Sequence, residues 1–101
     1  MRIALIGGVE RNENALSRIA AEHGHTLDYH GGHMKGRGVT DMERVVERAD
    51  MVIVTTDVNS HTAVMVARKA ARRFNRDLRL VRNCNPTRFR ELLDGLTAKA
   101  A

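Results

Sequence analysis

Hydrophobic and polar positions follow two different periods along this chain. Four short runs, apolar throughout or apolar at alternate positions, occupy residues 2–6, 26–30, 51–55 and 78–81 and have the length of β-strands. After each run, apolar residues recur three and four positions apart, which is typical of amphipathic helices. These helical patterns cover about residues 12–23, 40–49, 60–74 and 86–96. The pattern is therefore strand–helix repeated four times.

Alternation of strands and helices with short connections predicts an α/β fold with a parallel sheet and helices on both of its faces. Right-handed crossovers and short connections favour the strand order 2-1-3-4. The second run, residues 26–30, is polar on one face and therefore predicts an edge strand. We expect one Rossmann-like or flavodoxin-like domain over residues 1–101, without an internal repeat or linker.

Three helix-start signals refine this prediction. Thr40 with Glu43 three residues later matches a capping box at the start of the second helix. Ser60 is expected to cap the third helix. Asn85 followed by Pro86 is a common start, because proline suits the first helical position, and it predicts the fourth helix there.

Composition limits the environment and the partners. The 101 residues are 43% apolar and 3% aromatic, which predicts one small domain with an aliphatic core. The single cysteine, Cys84, excludes an intrachain disulfide; with no signal-peptide or membrane-span pattern, we expect a cytoplasmic protein without a membrane segment. Part of the net charge of +5 lies on one predicted helix face, for which a solvated surface is favoured and nucleic-acid binding is the alternative: Arg68, Lys69, Arg72, Arg73 and Arg76.

The candidate chemistry follows the ends of the strands. Open parallel sheets bind ligands beyond the carboxyl ends of their strands, where the strand order reverses. The residues expected at that edge are Gly7, Gly8, Tyr29, His30, His33, Lys35, Asp57, Ser60, His61, Arg82 and Cys84. The loop after the second strand is longer than usual and rich in glycine and histidine, so we expect it to form one wall of a site.

Three histidines at this edge predict a metal site. His33 and His61 are the first candidate ligands and His30 is the next, with Asp57 or Cys84 in support, because imidazole suits iron, zinc and other transition metals. The alternative is that each histidine only bonds to a nearby backbone group.

Two further interpretations stay open. Gly7 and Gly8 before the first helix, the Ser60 helix start, Lys35 and Arg82 would suit a phosphate group, although the glycines match neither a dinucleotide fingerprint nor a P-loop. In the second, Cys84 near a helix start would act as a nucleophile with a histidine as base.

Taken together, these motifs resemble the small bacterial domain-of-unknown-function 2325 family. The resemblance is carried by the segments at residues 6–8, 29–33, 56–61 and 83–86 and covers nearly the whole chain. It implies a compact α/β domain but no established activity. Members often carry a cysteine where this chain has Val58, and the missing thiolate favours harder ligands.

We therefore expect a metal-binding protein, with iron preferred over zinc and haem as another form of iron, acting in redox or oxygen chemistry. Tyr29 and Lys35 would support the ligands, and a homodimer would complete a site for which one small chain has few ligands. The alternative is a non-catalytic regulatory module that binds a phosphorylated small molecule or a partner protein.

Overall fold

The computed structural model describes residues 1–100, and the side chains of residues 1–96. Strands and helices alternate along the chain. The strands are β1 (Arg2–Ile6), β2 (Thr26–His30), β3 (Met51–Thr55) and β4 (Asp77–Val81). The helices are α1 (Glu13–Glu22), which follows a short 3-10 turn at Glu10–Asn12, α2 (Gly38–Arg48), α3 (His61–Arg73) and α4 (Pro86–Ala100).

The four strands form one sheet that is parallel throughout, in the order β2-β1-β3-β4. β1 pairs with β2 on one side and with β3 on the other, so that Ile6 lies opposite both His30 and Val54. The predicted order and the edge position of β2 are confirmed. The order reverses between β1 and β3, which puts the expected ligand crevice at their carboxyl ends.

Helices cover both faces of the sheet, and alternate strand residues supply the two cores. On one face, α2 and α3 pack over strand residues that include Ile6 and Val54. On the other, α1 and α4 pack over Leu5 and Ile53, with Phe89 fully buried. Since β3 is buried on both faces, all five of its residues are inaccessible, as its continuous apolar run predicts.

Two of the three predicted helix starts are confirmed. The Ser60 hydroxyl accepts a hydrogen bond from Ala63 N at 3.0 Å, and Asn85 Oδ1 accepts one from Arg88 N at 2.8 Å. The prediction that Thr40 caps the start of the second helix is wrong. α2 begins at Gly38, where the chain already turns through a 3.0 Å bond from Gly38 N to the Lys35 carbonyl.

Within the part of the chain that the structure describes, no helix has the length and apolar character required to cross a membrane.

Candidate functional site

A tight glycine turn joins β1 to the neighbouring loops at the carboxyl edge. Gly7 and Gly8 have φ values of +89° and +91°, which side chains rarely adopt. Gly7 N donates to the His30 carbonyl at 2.7 Å, and Gly8 N donates to the Val58 carbonyl at 2.8 Å. These bonds tie the end of β1 to β2 on one side and to the loop after β3 on the other.

Asn59 holds this turn in place. Its Nδ2 donates to the carbonyls of Thr55 at 3.0 Å and Ile6 at 3.4 Å, while its Oδ1 accepts from Ser60 N at 3.0 Å. A Cβ on either Gly7 or Gly32 would collide with the Asn59 side chain. Asn59 therefore fills the space between the two glycine loops and fixes the start of α3 against the sheet.

His30 is locked in one neutral form. Its Nδ1 accepts from Gly32 N at 3.0 Å, so the ring proton is on Nε2, which donates to the Gly38 carbonyl at 3.0 Å. The side chain is buried, and burial lowers the pKa of His30. In this arrangement His30 braces the glycine loop against α2, and it could bind a metal only after one of these bonds had broken.

His33 lies directly on His30. The two rings stack with centroids 4.5 Å apart and an interplanar angle of 9°. The His33 backbone also contacts Gly38 so closely that a Cβ there would overlap the His33 carbonyl group. Stacking on a locked ring and the glycine contact together fix the position of His33, although its side chain remains exposed.

The five histidines differ in how their ring nitrogens are used. Both nitrogens of His23 face acceptors, the Ile19 carbonyl and the Asp94 carboxylate, and Nδ1 of His25 accepts from the amino terminus at 2.9 Å. His33 and His61 are exposed, and their ring nitrogens form no hydrogen bond with any described residue. They are therefore the two histidines with both ring nitrogens free to bind a ligand.

The structure does not gather the predicted ligands into one cluster. Among residues 1–96, no three histidine, cysteine, aspartate or glutamate side chains lie close enough together to hold a metal ion. Asp57 Oδ1 accepts from Val58 N at 2.7 Å, and burial raises the pKa of the Cys84 thiol to about 11. Neutral and buried, Cys84 is not poised to act as a nucleophile. Arg82 is exposed, and its carbonyl accepts from Asp57 N at 3.1 Å.

A cleft of about 600 Å³ opens beside Tyr29, His30 and His33. The Tyr29 hydroxyl donates to the Gly8 carbonyl at 3.2 Å, and burial together with nearby carboxylates raises the pKa of Tyr29. Three carboxylates line this cleft that the sequence analysis did not single out: Glu10, Glu13 and Asp41. Glu10 and Glu13 lie in no motif, and Asp41 lies within the Thr40–Glu43 signal, which indicated a helix start and not a cleft. They make the cleft acidic and unsuited to a phosphate group.

A second cleft, of about 460 Å³, lies on the other side of His33 and is lined by the glycine loop and the start of α3. Lys35 and Ser60 both contribute to its wall, as the phosphate interpretation expects. The first amides of a helix have no intrahelical acceptor, and α3 has no acidic residue in its first turn. Among the described residues, this cleft has one cation and no carboxylate in its lining, so it is the more basic of the two clefts, and His33 lines both.

These features define a small parallel α/β domain whose exposed histidines lie at the edge where such sheets bind ligands. The chain belongs to the bacterial family described as "Uncharacterized protein conserved in bacteria (DUF2325)", whose model matches residues 2–96. The resemblance seen in the sequence motifs is thereby confirmed. Two UPF0751 proteins of Desulfitobacterium hafniense, from strains DCB-2 and Y51, are each 25% identical over 79 residues, which is 77% of this chain and 78% of theirs.

Proposed function

We propose that this protein binds iron and that His33 and His61 are its protein ligands. One observation carries the proposal: among the described residues, these two exposed imidazoles are the histidine side chains with no hydrogen bond to the protein. Imidazole is a common ligand for iron. The loop that carries His33 packs against α3, whose first residue is His61, because Gly32 lies against Asn59 and Ala63.

The number of available donors favours iron in a cofactor. A bare ion, whether iron or zinc, needs at least three or four protein ligands, and no such group exists within the described residues. Haem iron takes its equatorial ligands from the porphyrin and needs only one or two from the protein. Two free imidazoles are therefore enough protein ligands for haem iron, whereas a bare ion would need donors from a second copy of the chain in a homodimer.

Other residues at this edge would support the ligands. The His30 ring stacks on the His33 ring and supports it, and the two hydrogen bonds of His30 keep the His30 ring in place. Tyr29 and Lys35 each line a cleft that also includes His33, and Asp57 is exposed on the loop that leads to α3. Iron held here would supply redox or oxygen chemistry. The single, buried cysteine agrees with a cytoplasmic location, which we include in the proposal.

The test is the iron content of protein expressed with iron and haem available and purified without a histidine tag. We expect a coloured protein with about one equivalent of iron per chain if the iron is in haem, or about half an equivalent if one ion is shared by two copies. His33→Ala and His61→Ala should lose most of the iron. His25→Ala is the matched control, because it removes a histidine at the opposite edge of the sheet, and it should retain the iron.

Absorption spectroscopy and size exclusion then separate haem from an ion shared between two copies. A Soret band indicates haem, whereas iron without that band should be found only in a dimer. Less than about a tenth of an equivalent of any transition metal in the wild-type protein, with no effect of either substitution, would overturn the proposal.

A second candidate is a non-catalytic regulatory module that binds a phosphorylated small molecule in the cleft between Lys35 and the start of α3. The supporting observation is the combination of Lys35 with a first helical turn that lacks acidic residues. Inorganic phosphate or a nucleotide should then raise the melting temperature of metal-free protein, and Lys35→Ala should abolish the increase. No increase at millimolar concentrations would exclude this candidate.

A further inference from the structure

One surface far from the histidines is both apolar and basic. Met65 on α3 is 52% exposed, and a shallow depression around it is lined by three cations of the same helix: Arg68, Lys69 and Arg72. None of these three cations forms an ion pair or a hydrogen bond with a described residue. A single exposed apolar side chain is ordinary on a protein surface, so Met65 matters here only together with the apolar groove that lies beside it.

A groove between α2 and α3 continues this surface. Its volume is about 430 Å³, and its apolar lining consists of Val39, Val66 and Ala70. Lys69 and Arg73 line it as well. Arg73 is 3.7 Å from Glu43, but its side chain remains 71% exposed. The groove and the depression share Lys69, so they form one continuous surface, which we call the basic groove.

We propose that the basic groove is the docking site for an acidic amphipathic helix of a partner protein. Such a helix can lay an apolar stripe between two surface helices while its acidic flanks pair with the unsatisfied cations. The groove offers an acidic partner little competing negative charge. Among the described residues its lining has one carboxylate, Glu43, which already lies near Arg73.

The apolar residues decide between this partner and other polyanions. A nucleic-acid backbone would satisfy the cations but would leave Met65 and Val39 exposed, since phosphates contact charge and not apolar surface. A membrane surface would reach Met65, whereas Val66 is partly buried between the helices and lies out of reach of a flat bilayer. A helix can contact both the recessed Val66 and the exposed Met65. The inference does not depend on the proposed iron site.

The experiment uses two fluorescent synthetic helices of about 16 residues, long enough to fold in the groove. Both carry the same leucine stripe, and their flanks are all glutamate in one and all lysine in the other. Fluorescence anisotropy at low salt should show the glutamate peptide binding at least about tenfold more tightly. Lys69→Glu/Arg72→Glu should remove that preference. Arg18→Glu/Arg88→Glu, which changes the net charge equally on the α1 and α4 side, should not.

Met65→Ala tests the apolar part of the groove. It should weaken binding of the glutamate peptide severalfold without changing how that binding depends on salt. Circular dichroism of each variant verifies that the fold is retained. Three results would overturn the inference: equal binding by the two double variants, tight binding of a duplex DNA or of anionic vesicles without binding of the peptide, or a concentration-dependent oligomer that Lys69→Glu/Arg72→Glu dissociates. The last result would assign the groove to a second copy of this chain.

Discussion

The glycine pair at the end of β1 offers a matched test of how the candidate site is built. Gly7 and Gly8 have nearly the same φ, so an alanine at either position meets the same kind of backbone strain. Their surroundings differ. A Cβ on Gly7 would lie 2.5 Å from Asn59 Nδ2 and 2.6 Å from Thr55 Oγ1, whereas a Cβ on Gly8 would have its nearest neighbour, Thr55 Cγ2, at 3.7 Å.

The free energy of unfolding should reflect this difference. Backbone strain at positive φ is worth about 1–3 kcal/mol and applies to both variants. In Gly7→Ala, the Asn59 side chain must also move and lose its bonds to the carbonyls of Thr55 and Ile6. At about 0.5–1.5 kcal/mol for each hydrogen bond, this adds roughly 2 kcal/mol. We expect Gly8→Ala to destabilise the protein by about 1–3 kcal/mol and Gly7→Ala by about 3–5 kcal/mol.

Guanidinium denaturation followed by circular dichroism measures both values, provided that the slope with denaturant is unchanged. Repeating Gly7→Ala in an Asn59→Ala background completes a double-mutant cycle. The collision with Asn59 is then absent, so Gly7→Ala should be less destabilising by about 1 kcal/mol or more. Gly7→Ala and Gly8→Ala within about 0.5 kcal/mol of each other would refute the role given to Asn59.

Two further predictions concern titratable groups away from the carboxyl edge. The hydrogen bonds to Asp94 and to the Ile19 carbonyl raise the pKa of His23 above 6.5, so their stabilisation should be full below about pH 6.5 and should fade as the pH rises through the folded value. The free energy of unfolding, measured by denaturation at several pH values on both sides of pH 6.5, should depend on pH differently in wild-type protein and in Asp94→Asn. The same pH dependence in both proteins would contradict this. Cys84, with its pKa of about 11, should be alkylated at least about a hundredfold more slowly in native than in unfolded protein at pH 8. Equal rates would show that the thiol is accessible.

The acidic and basic halves of the carboxyl edge have a consequence for any ligand. The larger cleft carries three carboxylates near Tyr29, and the smaller one carries Lys35 near the start of α3. His33 lies on the boundary and lines both clefts. A ligand that reached across His33 would therefore be expected to be cationic or a hydrogen-bond donor at one end and anionic at the other.

The architecture could be predicted from the sequence because its determinants are local and periodic. β2 and β3 begin and end where their patterns indicate. β4 begins one residue earlier than its pattern, and α1 is one residue shorter than its pattern at each end. Gly24 has φ +77° just after α1, a left-handed conformation that glycine commonly supplies at the end of a helix. The start of α2 was misplaced because the Lys35–Gly38 turn overrides the capping signal at Thr40.

The candidate site could be predicted only as a set of residues at one edge. Strand ends in a parallel sheet must meet there, so His33, His61, Lys35 and Ser60 are all exposed at that edge. The role of each residue could not be predicted from its position at that edge. The sequence placed His30 next after His33 and His61 among the candidate ligands, yet its two ring nitrogens are already bonded to the backbone.

By itself, the sequence determined the order of the strands, the two apolar faces and the edge at which polar residues collect. Periodicity and glycine positions act over a few residues and define the strands and helices. The right-handedness of the crossovers then determines the order of the strands. The tertiary structure alone decided which histidines are free and which are committed. His30 and His23 each have one partner nearby in the chain and one that no local pattern indicates: His30 bonds to the carbonyl of Gly38, and His23 bonds to Asp94, 71 residues away.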